Sequence, residues 1–144
     1  MAQLHGCCHC GNLEFIFETK LRPEELSVRA CSCSFCRRHG ARTTSDPQGK
    51  VKITAHDSSL LHRYRFGMKT ADFLICKRCG VYVAAVMRAG DKAYATLNLN
   101  ALDDSGGITQ EAVSVSYDAE TEPQRRARRE ANWTPVAAII ESPV

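Results

Sequence analysis

Ala71-Asp72-Phe73-Leu74-Ile75-Cys76-Lys77-Arg78-Cys79-Gly80-Val81-Tyr82-Val83-Ala84-Ala85-Val86-Met87 is the stretch whose reading decides the fold. Two apolar, β-favouring runs, Ala71 to Ile75 and Val81 to Met87, are separated only by a C-x-x-C-G turn. Such a turn brings both sulfurs onto one metal, and Gly80 tolerates the positive φ that it commonly needs. The segment predicts two strands joined by a zinc knuckle.

A knuckle supplies two ligands of a tetrahedron, so the other thiols matter next. Upstream, Cys7-Cys8-His9-Cys10-Gly11 contains both C-x-x-C-G and C-x-C-G, and either pair would complete a closed four-thiol site with Cys76 and Cys79. Between them, Cys31-Ser32-Cys33-Ser34-Phe35-Cys36 packs three thiols into one short stretch. Three thiolates leave one corner without a nearby partner, the pattern of a reactive metal. Ser34 to His39 reads as one helical turn that sets Cys33 and Cys36 on one side, with Cys31 just outside it.

Outward from the thiols the chain reads as short strands. Asn12 to Thr19 alternates, and Leu26 to Ala30, Lys50 to Ala55, Leu60 to Phe66, Ala93 to Leu99 and Ala112 to Tyr117 are strand-like. Lys50–Ala55 and Leu60–Phe66 are expected to pair antiparallel. Gly40 to Gly49 and Asp103-Asp104-Ser105-Gly106-Gly107 read as loops, the first beside the thiol cluster where it can shape a pocket. Pro123 opens the one convincing helix, Gln124 to Asn132. About eight strands and one late helix make a mainly β fold of several small antiparallel sheets.

With 144 residues, 44% of them hydrophobic and 24% charged, the chain fits a single domain over residues 1–144. A net charge of +3 is too mild for a polyanion-binding face, so nucleic acid is not expected. The arginines at 125, 126, 128 and 129 are diluted by Glu120, Glu122 and Glu130, which favours a solvated helix face. Neither a secretory signal nor a membrane span is expected, since the late apolar run Val136 to Ile140 is too short. A cytoplasmic, reducing setting follows, where clustered thiols serve metals rather than disulfides.

The order C-x-C-G, C-x-C-x-x-C, C-x-x-C-G, from Gly6 to about Leu102, resembles the glutathione-dependent formaldehyde-activating enzyme family. The resemblance implies a zinc-bearing β-tent of small sheets with two Zn(II) per chain. It selects Cys8 over Cys7, so that Cys8, Cys10, Cys76 and Cys79 hold a structural zinc and Cys31, Cys33 and Cys36 a catalytic one. It further implies a carbon–sulfur lyase acting on a glutathione adduct of a small aldehyde, like S-(hydroxymethyl)glutathione synthase. The expected partner is a small-molecule thiol, glutathione or its aldehyde adduct; a homodimer is left open.

Three soft thiolates suit a thiol as fourth ligand better than they suit hydroxide formation. His39 is the proton donor nearest in sequence, and Arg37 and Arg38 are candidates to bind glutathione carboxylates. Each has a plainer reading as a solvent-facing residue. Two other functions stand beside the enzyme. One is a non-catalytic interaction module, in which His39 or His9 closes the middle site; the other is an iron–sulfur site.

Overall fold

The computed structural model describes residues 2–104 and 107–143, so part of the expected Asp103–Gly107 loop lies outside the described residues. β7 (Asp72–Cys76) and β8 (Tyr82–Ala89) pair antiparallel across the Cys76–Gly80 turn. Residues 82–87 are all buried, which is why this run is continuously apolar rather than alternating. β6 (Leu61–Tyr64) lies along β7, and β9 (Lys92–Asn98) along β8.

β1 (Ala2–Cys7), β2 (Leu13–Thr19) and β5 (Lys50–Ala55) form a second group of antiparallel strands. Leu13, Phe15 and Phe17 stand opposite Ala55, Ile53 and Val51, and all six side chains are buried in the main core. β11 (Thr134–Glu141) joins the two groups, running parallel to β5 and pairing at its start with β9. β3 (Arg29–Cys31), β4 (Thr43–Thr44) and β10 (Val113–Val115) extend the far side. The strand order is β1-β2-β5-β11-β9-β4-β3-β10, with β6 and β7 joined to β9 through β8. α1 (Ser34–His39) follows β3, and α2 (Glu122–Asn132) precedes β11. Thr121 caps α2 reciprocally with Gln124, which starts the helix slightly before Pro123.

The mainly β expectation holds, with mixed rather than purely antiparallel pairing because β3 and β10 also run parallel. The expected pairing of Lys50–Ala55 with Leu60–Phe66 does not form. β5 is held between β2 and β11 because its buried side chains match the core face of β2, whereas His62, Arg63 and Tyr64 leave β6 at an exposed edge. The Gly40–Gly49 segment is more than a surface loop: it contains β4, and Thr43 to Asp46 are buried. Among the described residues, no helix is long and apolar enough to cross a membrane.

On the outer face of β1, His5 Nδ1 meets Asp103 Oδ2 and His5 Nε2 lies 2.8 Å from Glu14 Oε2. His56 shares the other Glu14 oxygen, at 2.9 Å. Hydrogen bonds to Glu14 and then Asp103 raise the His5 pKa, while the same pairs lower those of both carboxylates. The histidine's contribution is fully present below its unfolded pKa and is lost as pH rises through the raised folded value. The carboxylate contributions are present above their unfolded values and are lost on acidification. At about pH 6 we expect His5→Gln to destabilise by less than about 1 kcal/mol, because the site is half exposed, and the deficit to shrink by about pH 9. Urea midpoints of both proteins across that range check this; a constant gap would count against it.

Candidate metal centres and the cavity beside them

Two turns carry the first sulfur cluster. In each, the leading cysteine donates its backbone N–H five residues ahead, Cys8 to Leu13 O at 2.8 Å and Cys76 to Val81 O at 3.1 Å. In each, a glycine in the left-handed region closes the turn, Gly11 at φ 85° and Gly80 at φ 80°. The sulfurs of Cys8, Cys10, Cys76 and Cys79 all lie within 4.8 Å of one another. Cys8 to Cys10 is 3.8 Å and Cys10 to Cys76 is 3.5 Å. Tetrahedral zinc with Zn–S bonds of about 2.3 Å needs sulfurs about 3.8 Å apart, so the set fits such an ion. Cys7 is not part of it: its sulfur donates to Asp103 Oδ1 at 3.4 Å. Of the two readings of the upstream thiols, the geometry favours Cys8.

The second cluster stands at the β3–α1 junction. Cys31 ends β3, Cys33 is the N-cap of α1 with its sulfur accepting from the Cys36 N–H at 3.4 Å, and Cys36 is buried in the first turn. All three sulfurs lie within 4.8 Å, and among the described residues no fourth His, Cys, Asp or Glu atom joins them. Hydrogen bonds with Cys31 and Cys36 hold the Cys33 thiol down to about 2, while those with Cys31 and Cys33, and then burial, push Cys36 up. The first thiolate thus suppresses its neighbours, and a divalent cation is the partner that lets all three ionise together. The donor set is soft and compatible with zinc.

Cys31, Cys33 and Cys36 line an open-sided cavity of about 680 Å³, which none of the other four clustered cysteines reaches. Its walls are Phe66, Phe73, Tyr82, Tyr117 and Trp133, with Arg29 from β3 and Arg125, Arg128 and Arg129 from α2. Tyr82 contributes a buried hydroxyl that has no hydrogen-bond partner among the described residues. Burial, and then the neighbouring Cys36, Cys33 and Cys31 thiolates, raise its pKa well above the usual value, so it stays a neutral O–H donor.

The structure does not bring Arg37, Arg38 or His39 to this cavity. Arg37 and Arg38 are exposed on α1, and His39 turns back to place Nδ1 3.0 Å from Phe35 O and its ring 4.3 Å from that of Phe35. Cys36 occupies the inward face of so short a helix, so the residues after it continue around the outside. The solvated-face expectation for α2 is also corrected. Arg125, Arg128 and Arg129 share the i, i+3, i+4 face that packs inward, while Gln124, Ala127 and Glu130 are exposed. That spacing was the available signal. Nothing local in the sequence marks Arg29 or Tyr82.

A mainly β chain with one closed four-sulfur set and one three-sulfur set open to a cavity defines a protein with two cysteine centres suited to metal. Residues 3–120 match the model described as glutathione-dependent formaldehyde-activating enzyme, and the chain belongs to that family. It is also similar to a solved Rhodobacter sphaeroides protein from structural genomics. That likeness has 29% identity and a TM-score of 0.54, and covers 77% of this chain and 99% of the other. The family match ends before α2, the helix that carries three of the cavity arginines.

Proposed function

We propose that this chain is a zinc-dependent carbon–sulfur lyase. It interconverts a thiol and a small aldehyde with their hydroxyalkyl thioether, with glutathione and formaldehyde giving S-(hydroxymethyl)glutathione as the reaction the family description suggests. The observation that carries the reading is the three-sulfur set open to a cavity, with no fourth His, Cys, Asp or Glu atom among the described residues. An open corner is what separates a catalytic zinc from a closed structural one. The reading takes residues 1–144 as one unit with two zinc ions, in a cytoplasmic, reducing setting where all eight cysteines stay free of disulfides.

Zinc held by Cys31, Cys33 and Cys36 would supply soft Lewis acidity that favours thiolate over thiol. The aromatic walls exclude water from the reacting groups. The thiol gives up its proton, its sulfur forms a bond to the aldehyde carbon, and the C=O π pair moves to oxygen. Tyr82, whose hydroxyl has no partner among the described residues, donates a hydrogen bond to that oxygen in place of His39, which lies outside the cavity. One proton leaves sulfur and one arrives at oxygen, so the addition balances without oxidant or reductant. The competing interaction module needs His9 or His39 on the triad, and neither belongs to its ligand group.

Cobalt in place of zinc tests the open corner. Adding glutathione should strengthen the cobalt–thiolate charge-transfer bands, and formaldehyde exchange should exceed the uncatalysed rate. A spectrum that ignores glutathione and small thiols would sink the enzyme reading.

A further inference from the structure

The four cavity arginines are not matched by acids. Arg125 and Arg128 share one carboxylate, Glu120, with Arg128 Nε 2.7 Å and Arg125 Nε 3.3 Å from its oxygens. Arg128 also lies over the Tyr117 ring, 3.4 Å from its centroid. Arg29 is held by hydroxyls alone, donating to Ser27 at 2.9 Å, Ser45 at 2.8 Å and Thr96 at 3.3 Å. Arg129 is 8% exposed, donates to Thr70 Oγ1 at 2.7 Å, and has an Nε–H with no partner among the described residues. Its guanidinium lies 4.6 Å from the centroid of Trp133. Among the described residues neither Arg29 nor Arg129 has a carboxylate partner. Asp118 is the acid that lines the cavity, and it is exposed.

A buried cation with an unused donor is costly, and such a group is stabilised when an anion completes it. Burial lowers the Arg129 pKa to about 10, which leaves it charged at neutral pH. Counting the wall together with Glu120, which pairs two of its arginines from behind the lining, four guanidiniums stand against two carboxylates, leaving +2. Three thiolates on a divalent cation carry −1, so the loaded cavity retains about one positive charge. Guanidinium forks recognise planar carboxylates in bidentate fashion, and the serine and threonine partners of Arg29 fix its orientation without neutralising it.

We propose that Arg29 and Arg129 form a carboxylate subsite, which selects thiols bearing an acidic group over neutral thiols at the three-cysteine centre. This rests on the reading of that centre as a thiol site. Both residues act as specificity determinants, and α2, which lies beyond the family match, supplies one of them.

The test titrates the cobalt-substituted protein with 3-mercaptopropionate, neutral 2-mercaptoethanol and cationic cysteamine. The acidic thiol should bind at least about tenfold more tightly than the neutral one, a preference that one fork contact can supply. Arg29→Gln and Arg129→Gln, each checked for a native circular dichroism spectrum, should remove the preference while leaving 2-mercaptoethanol binding within about twofold. Equal affinity for all three thiols, or a preference untouched in both variants, would overturn the subsite and leave the thiol site standing. Propionate alone supplies a readout independent of the metal corner. It should raise the thermal midpoint of the unsubstituted protein and not of the Arg29→Gln variant; no shift in the parent protein overturns the subsite. If no thiol alters the cobalt spectrum while propionate still stabilises the parent, the thiol reading falls and the anion site remains.

Discussion

Cys76→Ser is expected to lose metal and cooperative folding together. Cys76 is 1% exposed at the end of β7, and its sulfur lies 3.5 Å from that of Cys10, 66 residues away. The four-sulfur set therefore ties the β1–β2 turn to the β7–β8 turn, elements that belong to different strand groups. Structural zinc sites contribute about 10 kcal/mol or more in small metal-folded peptides, against a net stability of about 5–15 kcal/mol for a domain. Removing one of four ligands thus costs a large share of what holds the fold. Cys8→Ser should behave alike. Cys7→Ser should keep all its metal and lose less than about 1 kcal/mol, because that thiol contacts Asp103 instead of the cluster. Elemental analysis beside thermal melts decides the matter. Metal loss in the Cys7 variant with retention in the Cys8 variant would reverse the assignment.

The thiols were readable because ligand spacing is local: Cys31, Cys33 and Cys36 meet through one strand end and one helical turn, which six residues specify. The knuckle strands were readable for the same reason, since the turn between them is only five residues long. What sequence left unread depends on docking. Val136 to Ile140 is too short for a membrane span, and its place in the sheet depends on β5, along which it runs partly exposed while only Thr134 and Pro135 reach β9. β1 is an edge strand whose alternation, Gln3 and His5 exposed against Leu4 and Gly6, spans too few residues to stand out in the sequence. The arginines of α2 looked solvated because glutamates are nearby in sequence, and only Glu120 pairs with inward-facing arginines. His39 illustrates the converse. Closeness in sequence to the triad points to a proton donor, whereas Tyr82, dozens of residues further on, lines the same cavity as the three sulfurs.

Cys33→Ser should leave the fold near its parental stability and remove turnover. Serine is a strongly preferred N-cap, so its hydroxyl can accept the Cys36 N–H that the Cys33 sulfur now accepts, and α1 keeps its start. The triad also constrains little chain. A link from residue 10 to residue 76 closes a loop about thirteen times longer than one from 31 to 36, worth roughly 2 kcal/mol more in closure entropy. The substitution replaces a soft anionic donor with a hard neutral one in a set that offers only three such donors, so any metal held there should fall well before the four-sulfur set is affected. The expected result is a metal content near one per chain and a thermal midpoint within a few degrees of the parent. Glutathione–formaldehyde exchange should slow by roughly 100-fold or more, to near the uncatalysed rate. A midpoint as low as that of Cys76→Ser would mean that both sulfur sets hold the fold, and the division into one structural and one reactive centre would have to be abandoned.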